Sequence, residues 1–281
     1  MLERVIRETC IAGAVIDRCI KASFPHKGKR KRKEKATSDA VKKNNDMLAT
    51  KMLTRLLNLN FFPGDYHITL TYAEIVTVEE ANRQLDNWIK RMRREYKKLD
   101  KEFCYIAVTE YENHRVHHHI VMNYIDSRII DRQWKCGHIW LSTLDKSRNY
   151  RKLAEYLIKE TQKTFRDPGN STKRRWKPSR NLKRPVVKRE WVSISQLFQN
   201  LDELKPIKGY EIDKESVRKY TNPVTGLEHI EYQMISTEAV PRLKVWRNGR
   251  KLKRNETYIR MQDIRQLDME LEDNAAIWDV L

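Results

Sequence analysis

The chain has 281 residues, which is enough for one large domain with extensions or for two domains of ordinary size. Its 57 Lys and Arg residues against 38 Asp and Glu residues give a formal net charge of +19, which indicates a polyanionic partner, above all nucleic acid. No apolar run reaches the roughly 18 residues that a membrane-spanning helix needs, so we expect no membrane partner.

The N-terminal segment is interrupted by charged residues, so it lacks the unbroken apolar stretch of a secretory signal. Four cysteines are scattered along the chain without a C-x-x-C pair. This spacing favours reduced thiols over a disulfide framework or a zinc ribbon. We therefore expect a cytoplasmic protein.

The first predicted region, residues 1–61, combines a basic arm with N-terminal helices. The arm contains HKGKRKRKEK at residues 26–35, a block of like charges that cannot be buried. A helix is predicted to begin after an N-cap at Thr37 or Ser38, because leucines and methionines follow at helical spacing. A Pro-Gly pair at residues 63 and 64 ends it.

Residues 62–165 alternate between strand and helix patterns. The strands are predicted at residues 66–72, 103–111, 116–124 and 138–142, and the helices at residues 77–99, 127–134 and 147–164. Thr77, followed by acidic residues, is the predicted N-cap of the first of these helices. This order predicts an α+β domain with a central antiparallel β-sheet and flanking helices.

The remainder of the chain divides into two regions. Residues 166–190 are rich in proline and cations and are predicted to be a basic linker or a segment that contacts nucleic acid. No fold is predicted for residues 191–281, the C-terminal region. Its acidic tail, residues 262–281, is either an intramolecular mimic of DNA or a solvated amphipathic helix, and the second is favoured.

The stretch TEYENHRVHHHIVMN reads as a β-hairpin that carries three consecutive histidines. Because side chains alternate along a strand, His117 and His119 point to one face, and His118 points to the other with the apolar residues. A tight turn at Asn113 and His114 would pair Glu110 directly with His117.

Two imidazoles and a carboxylate on one face form a candidate metal site. The predicted ligands are Glu110, His117 and His119, and this donor set suits Mn²⁺, Mg²⁺ or Zn²⁺ with positions left open for a substrate oxygen. The alternative is a solvated polar face that happens to contain histidine.

The last helix of this domain carries two tyrosines on different faces. At about 100° per residue, Tyr150 falls in the apolar arc and is a predicted core residue. Tyr156 falls on the opposite face with Lys152, Lys159 and Lys163. Cations near a phenol can stabilise its phenolate, so Tyr156 is the candidate nucleophile.

These motifs, in this order, resemble those of the HUH endonucleases, and within them the single-tyrosine replication initiators (Rep) of bacterial plasmids, phages and integrative elements. The resemblance covers residues 62–165, beginning with the strand HITLTY. His117 and His119 match the histidine pair of the family and Glu110 matches its carboxylate ligand. Tyr156 and Lys159 match its nucleophile and accompanying lysine. A histidine in the hydrophobic slot between the pair is a departure.

The resemblance implies a metal-dependent, site-specific DNA nickase and strand transferase with Mn²⁺ or Mg²⁺ as its cofactor. Tyr156 would form a 5′-phosphotyrosine link and leave a 3′-OH that primes rolling-circle replication. The implied partners are single-stranded or hairpin origin DNA and a host polymerase in a bacterial cell. No G-x-x-x-x-G-K-[ST] motif occurs, so unwinding would fall to a host helicase.

Several residues are candidates for DNA contact. Tryptophans 134, 140 and 176 could stack on bases. The predicted DNA-binding residues are Lys152, Lys163, Lys173, Arg174, Arg175 and Trp176.

Three functions stay open at this point: a Rep nickase, an HUH relaxase or single-strand transposase, and a nucleic-acid-binding protein without catalysis. Tyr150 also keeps a two-tyrosine initiator open. The oligomeric state is not predicted.

Overall fold

The computed structural model describes residues 4–23, 39–112, 115–161, 175–193, 195, 204–221, 228–237, 246–247 and 250–251. The chain forms two compact units. The first takes its residues from the stretch up to Leu48 and from Arg184 to Asp263, and the second runs from Ala49 to Lys183. None of the helices in the described part of the chain is long and apolar enough to cross a membrane.

The described elements are four helices and twelve strands. The helices are α1 (Asp39–Asn60), α2 (Val78–Lys98), α3 (Ser127–Gln133) and α4 (Arg151–Glu160). The longer strands are β1 (Arg4–Ala12), β2 (Val15–Ser23), β3 (Tyr66–Leu70), β4 (Tyr105–Glu112), β5 (Arg115–Met122), β6 (Ile139–Thr143), β8 (Val187–Val192), β9 (Tyr210–Thr221) and β10 (Glu228–Ser236). Three strands have two residues each: β7 (Lys177–Pro178), β11 (Trp246–Arg247) and β12 (Arg250–Lys251).

The first unit contains a five-stranded antiparallel sheet in the order β8-β1-β2-β10-β9. The N-terminal extension was expected to be helical, but residues 4–23 form the hairpin of β1 and β2, and α1 is the one helix described before residue 61. Ala12 pairs with Val15, so a two-residue turn joins the strands. Gly13 supplies its positive φ of 60°, and the buried side chains alternate along the strands.

The sheet of the first unit also includes segments for which no strand was predicted. β8 begins inside the predicted linker and pairs with β1. β9 and β10 lie in the C-terminal region, for which no fold was predicted, and β10 pairs with β2. Long-range pairing of this kind leaves no signal in a local pattern of residues.

The second unit contains a five-stranded antiparallel sheet in the order β6-β3-β5-β4-β7. One face packs against α2 and α3 through a core that includes Ile68, Trp88, Ile120 and Ile130. The side chains of the other face form a second core with α1 and α4. Helices on both faces of an antiparallel sheet confirm the predicted α+β class and agree with a Rep-like domain.

Local signals in the second unit explain its element boundaries. The Thr77 hydroxyl accepts a hydrogen bond from the Glu80 amide, so the predicted N-cap of α2 is confirmed. Helix α4 was expected to begin near residue 147 but begins at Arg151. Arg148 has a positive φ of 57°, and the Tyr150 amide donates to Asn58 rather than along a helix.

Some predicted features lie outside the described residues. These are the basic arm at residues 26–35, the turn residues 113 and 114, Lys163, Lys173, Arg174 and the acidic tail at residues 262–281. The domain boundaries at residues 61, 165 and 190 stay predictions.

Candidate functional site

The histidine-bearing hairpin has the register that its sequence predicted. Glu110 pairs directly with His117, and Glu112 pairs with Arg115, so two residues join β4 to β5. Paired residues in an antiparallel sheet point to the same face. The carboxylate of Glu110 therefore shares a face with His117 and His119.

His118 points to the opposite face and is fully buried. The Tyr72 hydroxyl lies 2.9 Å from its Nε2 and donates to the Ala81 carbonyl. The Thr109 hydroxyl lies 3.0 Å from its Nδ1. Burial lowers the pKa of His118 to about 3, so the ring is neutral at pH 7. His118 is thus a structural residue that fills the apolar slot with all its polar atoms bonded.

His119 and Glu110 are in direct contact. Nε2 of His119 lies 3.0 Å from Oε2 of Glu110, and Nδ1 lies 3.1 Å from the Thr69 hydroxyl. Both side chains of the pair are largely buried. The hydrogen bond with His119 holds the pKa of the Glu110 carboxyl below its usual value, and His117 lowers it further. Glu110 is therefore ionised and is oriented by its neighbours.

Tyr156 lies over this pair. Its ring meets that of His119 edge to face at 5.4 Å between centroids and that of His67 at 6.2 Å. The side chain of Tyr156 is 41% exposed. A candidate nucleophile therefore stands beside the candidate ligands and still faces solvent.

His67 belongs to the same cluster. It lies on β3, where its ring stacks on that of His119 at 5.7 Å. Its Nε2 is buried and makes no hydrogen bond to a described residue. Burial lowers the pKa of His67 to about 4, so its ring is neutral at pH 7.

Glu160 brings a second carboxyl group to Glu110. It follows Tyr156 by one turn of α4 and is hydrogen-bonded to Glu110. Burial and the contact with Glu110 raise the pKa of Glu160, so the protonated group donates to the Glu110 carboxylate. Two carboxyl groups share a proton here because two adjacent negative charges are unfavourable without a cation.

The electrostatic environment of Tyr156 differs from the expected one. Lys152 and Lys159 are exposed on α4, as the helical wheel predicted. The pKa of Tyr156 is nevertheless raised, first by burial and then by the charges of Glu160 and Glu110. The carboxyl groups outweigh the lysines because they are closer to the phenol and less solvated.

The donor set fits a divalent cation. Glu110 and Glu160 offer oxygen and His119 offers nitrogen, while His117 lies opposite Glu110 at the edge of the cluster. Carboxylate oxygens with imidazole suit Mn²⁺ and, with more oxygen ligands from water, Mg²⁺. The shared proton of the two carboxyl groups marks where positive charge is favourable.

The two tyrosines of α4 have different environments. Tyr150 is the N-cap residue and packs in the second core with 4% of its surface exposed. Its pKa is raised by burial. Tyr150 is therefore the core residue that its position on the helical wheel predicted.

The three candidate stacking tryptophans differ in exposure. Trp134 is buried, and its indole N–H donates to the Thr71 carbonyl, so the expectation that it stacks on bases is wrong. Trp176 packs against the second core, next to the half-buried Arg175. Trp140 on the edge strand β6 is 71% exposed and pairs with Thr69, on the face that carries the histidines.

Two members of the cluster, His67 and Glu160, were missed by sequence reasoning. Strand alternation in HITLTY would have assigned His67 to the same face as Thr69. Helical periodicity would have aligned Glu160 with Tyr156, four residues earlier. Both signals were present but shared no motif with the histidine pair.

Comparison with known proteins identifies a family for this part of the chain. Residues 65–165 match the model of the replication-associated protein ORF2 family. No curated protein and no solved structure matches the chain. The matched segment contains every residue of the cluster described above. The domain at residues 65–165 therefore belongs to the replication-associated protein ORF2 family, consistent with a rolling-circle replication initiator.

Proposed function

We propose that this chain is a metal-dependent, site-specific DNA nickase and strand transferase that initiates rolling-circle replication. The observation that carries the proposal is the contact of the Tyr156 ring with His119, which is itself hydrogen-bonded to Glu110. A solvent-facing phenol beside a carboxylate and an imidazole is the constellation that tyrosine-dependent phosphoryl transfer needs.

In this reaction the Tyr156 oxygen attacks a DNA phosphorus in line. The new bond joins the phenolic oxygen to phosphorus, the bond from phosphorus to the 3′ oxygen breaks, and that oxygen leaves as a 3′-OH after taking up a proton. The product is a 5′-phosphotyrosine. Because the phosphodiester energy is kept in this bond, a later attack by a 3′-OH can rejoin the strand without ATP.

The phenol must lose its proton during the attack. In the metal-free site its pKa is raised by burial and by the two nearby carboxyl groups. Neutral His67, in edge contact with the Tyr156 ring, is the candidate acceptor for that proton. Lys159, one turn from the tyrosine, is the candidate donor of a hydrogen bond to the phosphate.

Glu110, His117 and His119 are the proposed metal ligands, and Glu160 is a further oxygen donor. A bound Mn²⁺ or Mg²⁺ would neutralise the carboxyl groups and polarise a phosphate oxygen of the substrate. The protein side chains fix where that phosphate must lie, since the ligands are held by paired strands and the Tyr156 ring by α4.

The DNA would reach the site as a single strand, because a base-paired phosphate is poorly accessible to a recessed site. Trp140 offers an exposed indole on the same face of the sheet, two strands from the strand that carries His117 and His119, and is the proposed stacking platform. Lys152, Lys163, Lys173, Arg174, Arg175 and Trp176 remain proposed DNA contacts. Host helicase and polymerase are proposed partners.

A trapping experiment tests the proposal. The purified chain is incubated with Mn²⁺ and single-stranded oligonucleotides that tile the replication origin of its element, and covalent adducts are identified by mass spectrometry. We expect a tyrosine-linked 5′-phosphate that is absent in Tyr156→Phe and present in Tyr150→Phe. Binding without an adduct would leave a nucleic-acid-binding protein without catalysis.

A relaxase or a single-strand transposase is the second candidate, since it shares the same chemistry. The same adduct assay distinguishes the roles by substrate. Adduct formation on the replication origin supports a replication initiator, whereas adducts confined to a transfer origin or to transposon ends support the alternative.

A further inference from the structure

A second cluster of potential metal ligands lies in the first unit, on the sheet formed by β1, β2, β8, β9 and β10. Cys19 on β2 pairs directly with Glu231 on β10, and His229 lies two residues from Glu231 on the same face. Their ligand atoms all lie within 4.8 Å of one another, the one group of three His, Cys, Asp or Glu residues among the described residues that is this close.

We propose that Cys19, His229 and Glu231 form a zinc site that is distinct from the catalytic cluster. The Cys19 sulfur lies 3.2 Å from Nε2 of His229, and the same nitrogen lies 3.7 Å from Oε1 of Glu231. Zinc bonds of about 2.0–2.3 Å in tetrahedral geometry place neighbouring ligand atoms roughly 3.3–3.7 Å apart. The three atoms therefore already have nearly the separations that a shared zinc ion requires.

The imidazole of His229 is held by a second residue, as metal-binding histidines commonly are. The Tyr220 hydroxyl on β9 lies 2.6 Å from Nδ1 of His229, and the two rings stack with centroids 4.3 Å apart. This contact fixes the ring so that Nε2 faces Cys19 and Glu231. The site thus connects three neighbouring strands, β2, β9 and β10.

The neighbouring acid on the other side of Cys19 is engaged elsewhere. Glu8 also pairs with Cys19 in the sheet, but its carboxylate binds Lys21 at 3.3 Å and Arg189 at 3.1 Å. These cations lower the pKa of Glu8, although burial opposes them. Three protein ligands remain, and water would complete the tetrahedron.

The donor types favour zinc over the cations proposed for the hairpin site. A thiolate with an imidazole and a carboxylate suits a borderline-soft ion, whereas Mn²⁺ and Mg²⁺ prefer oxygen. Cys19 is buried to 2% exposure, which does not suit a nucleophile that must reach a large substrate. His229 and Glu231 are each partly exposed, so a small ion can enter from their side.

Cobalt spectroscopy tests this assignment because Co²⁺ reports thiolate ligation directly. We expect the full-length chain to bind Co²⁺ with a near-ultraviolet thiolate-to-metal absorption that Zn²⁺ then abolishes. This band should be lost in Cys19→Ser and kept in the control variant Cys136→Ser. Glu110→Gln should also keep it, which separates this site from the proposed catalytic metal.

Two milder variants keep the test valid if Cys19→Ser fails to fold. Glu231→Gln and Tyr220→Phe should each retain the band and weaken Co²⁺ binding about tenfold. Absence of a thiolate band in the folded parent protein, or unchanged affinity in Glu231→Gln, would overturn the proposal and leave a hydrogen-bonded cross-strand cluster.

Discussion

The rings of His119 and Tyr156 meet edge to face at 5.4 Å between centroids, although one residue lies on a strand and the other on a helix. His119 is fixed on both ring nitrogens, by Glu110 and by Thr69. This contact therefore joins a rigid pair of candidate ligands to a phenol that is 41% exposed. The predictions below concern the residues around it.

Glu160 should contribute to metal binding. Removing its charge with Glu160→Gln takes away one of two carboxyl groups that meet at the site, so we expect the Kd for Mn²⁺ to rise about tenfold, or about 1.4 kcal/mol. Glu155→Gln is the control, because Glu155 lies on the same helix but pairs with Arg151. Isothermal titration with Mn²⁺ measures both. Equal affinities in the two variants would exclude Glu160 from the site.

His67 should act in the transfer step and not in DNA binding. His67→Phe keeps a ring against His119 and Tyr156 but removes the buried Nε2. We expect adduct formation to slow by about a hundredfold or more, with single-strand affinity unchanged. The pH dependence of the rate should change as well. A variant with the parental rate and pH profile would show that His67 only fills space.

Trp140 should stack on a base of the substrate. Trp140→Ala removes an indole that is 71% exposed on the face that carries the histidines. We expect single-strand binding to weaken by about 1–3 kcal/mol, with little loss of stability. Trp191→Ala in the first unit removes an indole of similar exposure and serves as the control. Fluorescence anisotropy measures the affinities, and equal losses in both variants would argue against a specific platform.

His118 should make the fold sensitive to acid. Its pKa in the folded protein is about 3, below the ordinary value of 6.5, so the unfolded chain binds the extra proton between these values. The free energy of unfolding is then fully retained above about pH 6.5 and falls as the pH is lowered toward 3. Urea unfolding in EDTA at several pH values measures this slope.

A variant without the titrating ring tests this origin. His118→Gln should show a lower stability at pH 7 and a shallower loss on acidification, because the amide does not titrate. His67, whose pKa is also lowered, should leave part of the slope in place. An unchanged slope in His118→Gln would assign the acid sensitivity to other groups.

Local patterns predicted much of the second unit. The alternation around His118 and the two-residue turn gave the pairing of Glu110 with His117, which the register confirms. The helical wheel separated buried Tyr150 from exposed Tyr156. These features depend on neighbours within one hairpin or one helix, where periodicity is informative.

Features that depend on distant segments were not predicted. The hairpin of β1 and β2 is completed by β8 and β10, which lie more than 150 residues later in the chain. The approach of Glu160 to Glu110 depends on how α4 packs on the sheet. Neither is encoded in a local motif, since long-range pairing is decided by burial over the whole unit.

Tyr156 and Glu160 stand one turn apart on α4, whereas Glu110, His117 and His119 stand on paired strands. A rigid-body shift of that helix would withdraw the attacking oxygen and one of the acidic donors in a single movement. After cleavage the 5′ end of the cut strand would travel with the helix, while the strands keep their hold on the cation. Exchange of one DNA end for another would then need only a few ångströms of sliding between a helix and a sheet, with no unfolding of either.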